Sequence, residues 1–383
     1  MVKKGILIAF GEWFLKSEGV KNLFQKRLME NLRFFLSKEK IKFKLKYSRE
    51  RIFIETERCG QAIAVIKSVF GIGWLAESFL LPEANLKKLS DFVAANYEDW
   101  IEKDRTFAIR LRMERGVLKE SRERAIEKIA DKIDREVDLD YPDREVFIEI
   151  RKGVTFLYFE KIRGANGLPV GSSGKVLTLM SGGIDSPAAA YLVAKRGAEN
   201  IWLHFHSFPL VSNKSIEKTK ELANVFLKYQ PHLSVYYAPF SKIQMEIKAK
   251  IPEKYRILLY RRLMLKIAEE IAKENGCAAL VTGESLGQVS SQTLPNMEIT
   301  EEAVKIPVLR PLVAHDKEEI ISLAKKISTY EISIKPQEDC CTLFTPKHPT
   351  AAGEMAKIKE LEKKIASKKL IAAVVKEIKT ERY

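Results

Sequence analysis

The chain has 383 residues, too many for one ordinary hydrophobic core, so two or three domains are expected. With 46% hydrophobic and 31% charged residues it reads as a soluble globular protein, and no apolar run approaches the roughly 20 residues that span a bilayer. The net charge of +15 is concentrated in residues 1–50 (13 basic, 5 acidic) and 151–250 (14 basic, 6 acidic), a pattern that suits a polyanionic partner or, more plainly, a solvated Lys-rich surface.

Residues 5–10 alternate like a strand, and the apolar start is too short for a secretory signal, so a cytoplasmic protein with no membrane association is expected. Residues 20–37 have helical spacing, with Leu23, Phe24, Leu28, Leu32 and Phe35 on one stripe. Strand-like runs at 42–47 and 51–55 close a small α+β unit. A second α+β unit follows. Residues 61–68 look helical and end at Gly71-Ile72-Gly73, residues 86–103 and 120–134 are amphipathic helices, and 106–113, 145–151 and 154–159 alternate as strands. Arg110 and Arg112 share one face of such a strand, either as a phosphate-facing surface or as its ordinary wet side. The Gly/Ser-rich run 164–174 is the clearest linker. Beyond it come strands at 176–180, 200–205, 233–237 and 278–282. Helices run between them, to 196, to 228 and over 255–275. This is the rhythm of a doubly wound parallel α/β sheet. A Lys-rich helix is expected over 357–379.

Chemistry concentrates at Ser181-Gly182-Gly183-Ile184-Asp185-Ser186, between the first strand of this sheet and a helix beginning near Pro187. Two glycines let the backbone turn its N–H groups into one anion site, the helix N-terminus adds its dipole, and Ser181 and Ser186 can donate hydroxyl hydrogen bonds. Asp185 could hold Mg²⁺ against bound phosphates. The spacing is not that of a Walker A loop, because no lysine follows the second glycine. The four cysteines (Cys59, Cys277, Cys340, Cys341) contain no C-x-x-C pair, and the five histidines have no ligand spacing, so no zinc site is expected.

The S-G-G-x-D-S run after a strand resembles the PP-loop ATP pyrophosphatases, which transfer AMP from ATP to a substrate oxygen and release pyrophosphate. Further segments resemble the tRNA 4-thiouridine synthetase (tRNA sulfurtransferase) family within it. They are Gly11-Glu12-x-x-Leu15-Lys16, Val69-Phe70-Gly71-Ile72, the run from Gly283-Glu284-Ser285 to Thr293-Leu294, Arg310-Pro311-Leu312 and His315-Asp316-Lys317-Glu318. The resemblance implies a ferredoxin-like domain (1–56), a THUMP RNA-binding domain (57–163), the linker and a PP-loop domain (175–383). It carries ATP contacts onto Leu179, Met180, Ser181, Gly182, Gly183, Asp185, Ser186, His204, Phe205, Arg261, Gly283 and Gln292, with Mg²⁺ at Asp185. Catalytic roles fall on Asp185, Lys317 and Cys340, the last as the sulfur-carrying cysteine that attacks C4 of an activated uridine, near position 8 of tRNA.

Other features of the family are not found in this sequence. Some members carry a C-terminal rhodanese domain, to which the link with thiamine synthesis belongs, and none is expected in a chain ending at Tyr383. Others hold an iron–sulfur cluster with a C-x-x-C pair, so no cluster is expected here. The sulfur donor is left open between a cysteine desulfurase, a separate rhodanese-like carrier and sulfide, and a homodimer is among the assemblies considered. An amidating PP-loop synthetase and a non-catalytic RNA-binding protein with a relic loop are the alternative readings.

Overall fold

In the computed structural model, which describes residues 1–12, 17–48, 50–336 and 350–383, the chain forms two units, Met1–Gly167 and Leu168–Tyr383. Among the described residues no helix is long and apolar enough to cross a membrane.

The first unit runs β1 (Lys3–Phe10), α1 (Glu18–Lys38), β2 (Lys44–Ser48), β3 (Arg51–Glu55), α2 (Cys59–Ile66), β4 (Ile72–Leu81), α3 (Leu86–Trp100), β5 (Phe107–Met113), α4 (Arg122–Ala130), β6 (Arg144–Arg151), β7 (Val154–Tyr158) and β8 (Ile162–Arg163). Its strands make one sheet in the order β2-β3-β1-β4-β7-β6-β5, with β8 also on β4, so the two small α+β modules share a continuous sheet. All neighbours are antiparallel except β5 and β6. β4 is a strand that sequence periodicity misses. Its Gly73 reads as a helix breaker, but a Cβ there would lie 2.6 Å from the Phe10 carbonyl oxygen, beside the irregularity at Ala9/Phe10. The glycine therefore permits a close backbone approach within a strand pair.

One face of the β5–β6–β7 region carries Phe107, Ile109, Leu111, Val146, Ile148 and Leu157, and packs under Leu89 and Val93 of α3 and Ala125 and Ile129 of α4. The other face is polar and aromatic. Glu149 is buried there, accepting from Arg51 Nη2 at 3.0 Å, Arg151 Nε at 3.0 Å and the Tyr158 hydroxyl at 3.2 Å. The Arg51 guanidinium also lies 5.2 Å from the Trp74 ring centroid, and the Lys161 ammonium 4.2 Å from that of Phe147.

The second unit contains β9 (Lys175–Leu179), α5 (Asp185–Lys195), β10 (Glu199–His206), α6 (Lys214–Phe226), β11 (Ser234–Pro239), α7 (Ser241–Lys250), α8 (Arg256–Glu274), β12 (Ala279–Val281), α9 (Leu294–Glu301), β13 (Val308–Leu309), α10 (Lys317–Lys326), α11 (Tyr330–Ser333), α12 (Met355–Glu362), α13 (Ser367–Glu377) and β14 (Lys379–Arg382). The sheet order is β13-β12-β9-β10-β11-β14, parallel throughout except for the final antiparallel strand. Alternation along β9 sorts the two layers: Leu177 joins the core under α7, α8, α12 and α13, while Val176 joins that under α5 and α10. The α/β architecture is the one expected.

Two local expectations change. Residues 357–379 are not one helix: α12 and α13 are separate and the chain ends in β14, whose Lys-Thr-Glu-Arg sequence carries no hydrophobic alternation because it forms a charged edge. The second half of the 164–174 run is not a bare tether, since Leu168 and Val170 are buried and the Leu168 and Gly171 N–H groups donate to the carbonyls of Lys195 and Gly197.

Burial alone would raise the Glu149 carboxyl pKa, but Arg51 and Arg151 outweigh it and hold it below the ordinary carboxylate value. The stabilisation is present above that ordinary value and is lost as pH falls through the lowered one. Glu149→Ala strands two guanidinium groups and should cost about 3–5 kcal/mol in chemical denaturation of this unit near neutral pH. A loss within about 0.5 kcal/mol would show the cluster to be dispensable.

Candidate active site

Strand order reverses at β9, which has β10 on one side and β12 on the other, so a crevice opens at the carboxyl ends of these strands. The chain leaves β9 through residues 180–184 and enters α5 at Asp185. Gly182 has φ +79°, a left-handed conformation suited to glycine. The hydroxyls close the loop on itself: Ser181 N–H donates to Ser186 Oγ at 3.1 Å, Gly183 N–H donates to Ser181 Oγ at 3.2 Å, and the two hydroxyls lie 3.2 Å apart. The first N–H groups of α5, which no helical turn can satisfy, add a partial positive charge at the same end.

The opposite wall comes from β12. A Cβ on Gly283 would lie 2.8 Å from both the Asp185 carbonyl carbon and the Ser186 nitrogen, so only glycine lets this strand end abut the loop. Together with α8 and residues 289–292 these walls enclose a cavity of about 530 Å³. At the loop, Asp185 Oδ1 is 2.7 Å from the Lys317 ammonium, which projects from the first turn of α10, and Gln288 Nε2 donates to Asp185 Oδ2 at 3.3 Å. Asp316 caps α10 in a reciprocal box with Glu319, which fixes where Lys317 starts.

Deeper in, Arg261 of α8 lies 2.6 Å from Glu284 Oε1 and donates to Ser291 Oγ at 2.9 Å. Glu284 Oε2 accepts from Arg310 Nε at 2.7 Å and Thr282 Oγ1 at 2.9 Å. Burial would raise the Glu284 carboxyl pKa, but the two guanidinium groups prevail and lower it. Gln292 lines the cavity, and its buried Oε1 has no hydrogen-bond partner among the described residues.

Of the residues expected at the site, Leu179, Met180, Ser181, Asp185, Ser186, Phe205, Arg261, Gly283 and Gln292 line this one cavity. Gly182 and Gly183 shape the loop without lining it. His204 does not reach the cavity either. It alternates to the other side of β10 from Phe205, where its ring nitrogens lie 2.8 Å from the Met180 carbonyl oxygen and 3.1 Å from Ser215 Oγ. Cys340 and Cys341, with Leu15 and Lys16, lie outside the described residues. Sequence reasoning assigned no role to Glu284, although it stands in a quoted motif, nor to Ile257, Met264 and Leu265, whose helical periodicity reads only as core.

In the first unit, Arg110 is held by Glu145 at 2.7 Å and by the Leu139 carbonyl, whereas Arg112 lines a cavity of about 690 Å³ with Arg51, Arg151, Lys21 and Trp74.

Residues 171–367 match the family model described as Thiamine biosynthesis protein (ThiI), residues 5–76 the ThiI ferredoxin-like domain, and residues 83–160 the THUMP domain. A probable tRNA sulfurtransferase of Caldanaerobacter subterraneus subsp. tengcongensis is 39% identical over 376 residues, covering 97% of each chain. One of Alkaliphilus oremlandii is 38% identical over 387 aligned residues, covering 98% of each. A solved 4-thiouridine synthetase–RNA complex with bound ATP matches with a TM-score of 0.89 and 30% identity over 99% of both chains. PH1313 from Pyrococcus horikoshii shares the fold over 85% of this chain and 99% of its own, with a TM-score of 0.64 and 24% identity.

Gly283→Ala should force the loop off the β12 end and weaken binding of a triphosphate probe about tenfold or more, measured by calorimetry, equivalent to about 1.4 kcal/mol. Unchanged affinity would mean that the close approach does not shape the anion site.

Proposed function

This chain belongs to the ThiI family of tRNA sulfurtransferases, and from that premise we propose that its cavity binds ATP and that it thiolates uridine in tRNA to 4-thiouridine. The observation that carries the reading is the cavity lined by Ser181, Asp185 and Ser186 of the loop, by Arg261 and by Gln292, with the Lys317 ammonium paired to Asp185 at its edge.

Uridine O4 attacks the α-phosphorus of ATP, the bond to the β-phosphate oxygen breaks, and pyrophosphate leaves. The loop and the α5 N-terminus hold the β- and γ-phosphates, and the Lys317 ammonium offsets the charge that develops on the leaving group. Mg²⁺ would be held by Asp185, whose carboxylate accepts from Lys317 and Gln288 here, and would neutralise phosphate charge. Leu179, Phe205 and Met264 supply apolar wall for the adenine. A sulfur nucleophile then attacks C4, and AMP departs carrying the former O4. Cys340 is the residue assigned to present that sulfur as a persulfide, its outer sulfur transferred from a desulfurase or a separate rhodanese-like carrier. After attack a second thiol cleaves the Cys340 S–S bond, forming a disulfide with Cys340 and leaving the sulfur on C4, whereas sulfide as donor attacks C4 directly without the cysteine. The first unit grips tRNA by shape and phosphate charge, with Arg112 better placed for it than Arg110, whose charge is met by Glu145. No iron–sulfur cluster has a part in this scheme.

Incubation with unmodified tRNA, ATP-Mg²⁺ and sulfide should release pyrophosphate only when tRNA is present and should generate 4-thiouridine absorbance. Asp185→Asn and Lys317→Met should each lower the rate by about 100–1,000-fold. Pyrophosphate release indifferent to tRNA would sink the substrate assignment. With a persulfide donor, Cys340→Ala should keep pyrophosphate release but lose thiolation; undiminished thiolation would remove the persulfide step.

A further inference from the structure

Arg261 is a long, flexible side chain on the wall of the cavity, and the contacts that fix it are unusually complete. Its Nη1 donates to the Ser291 carbonyl oxygen at 3.2 Å and to Ser291 Oγ at 2.9 Å, while Nη2 lies 2.6 Å from Glu284 Oε1. Glu284 is itself immobilised from the other side by Thr282 Oγ1 and Arg310 Nε, and Arg310 Nη1 is anchored 2.6 Å from Glu301. The Glu284 side chain is 5% exposed and that of Arg310 12%. Such a cluster is a poor device for stability alone, because apolar residues of similar volume often serve as well. What it supplies is position. Glu284 follows directly on Gly283, whose missing side chain brings this strand end against Asp185 and Ser186. The same dipeptide therefore abuts the phosphate loop with one residue and clamps Arg261 with the next.

We propose that Glu284, backed by Arg310, is a positioning residue for ATP, holding the Arg261 guanidinium at a fixed place in the cavity relative to the 181–186 loop. The proposal rests on the reading of this cavity as the ATP site. It distinguishes Glu284, which acts through Arg261, from Asp185 and Lys317, which face the reacting phosphates.

The test is a double-mutant cycle in the full chain, read as ATP affinity by calorimetry and as KM for ATP in tRNA-dependent pyrophosphate release. Glu284→Gln keeps the shape and removes the charge. It should weaken ATP binding about tenfold or more and raise KM more than it lowers kcat. In an Arg261→Met background the same change should have no further effect on ATP. If Glu284→Gln does not fold, Arg310→Lys, which keeps the charge but loses the planar fork, should weaken ATP binding in the wild type and not beside Arg261→Met. Multiplicative effects, or a folded Glu284→Gln protein with wild-type affinity, would overturn the proposal while leaving the function intact. A wild-type protein that binds no ATP would overturn both.

Discussion

The contact between the end of β12 and the start of α5 is the constraint around which the catalytic unit is arranged. Gly283 meets the backbone of Asp185 and Ser186 at a distance that no side chain could share. This approach follows from the sheet order, since β9 and β12 are neighbours although β10, β11 and the helices α5 to α8 lie between them in sequence. It gives the crevice at the switch point a second wall facing the 181–186 loop. The hydroxyl bonds of Ser181 and Ser186, the α10 cap that sets Lys317, and the Arg261 clamp all act at the edges of that one approach.

Both units place a carboxylate between arginines in their interiors. Glu149 sits between Arg51 and Arg151 on the aromatic face of the eight-stranded sheet, and Glu284 between Arg261 and Arg310 beside the cavity. In each, two cations overcome the cost of burial and keep the carboxylate ionised. The consequences differ by surroundings. Around Glu149 the cluster joins strands from both modules of the first unit, so its effect is on folding. Around Glu284 one arginine reaches a ligand cavity, so its effect extends to binding.

Much of this was legible in the sequence because local chemistry and global fold agree. The loop motif needs glycine and serine where a strand meets a helix, and the strand–helix rhythm announces the parallel sheet that creates such a junction. What escaped did so for physical reasons. In β4 a glycine serves close packing rather than breaking a helix, and β14 is a charged edge with no apolar alternation. Glu284 gave no sign of its partners, because Arg261 and Arg310 are distant in sequence and meet it only through the sheet. His204 and Phe205 are adjacent yet face opposite layers, which motif transfer does not distinguish but strand alternation does.

The central claim is that uridine O4 itself becomes an oxygen of AMP, and isotope transfer tests it directly. With tRNA carrying oxygen-18 at C4 of the target uridine, turnover with ATP and sulfide should leave the label in AMP and none in pyrophosphate. Formation of 4-thiouridine accompanied by unlabelled AMP, with the label in water, would contradict adenylation of the base and with it the role given to the phosphate loop.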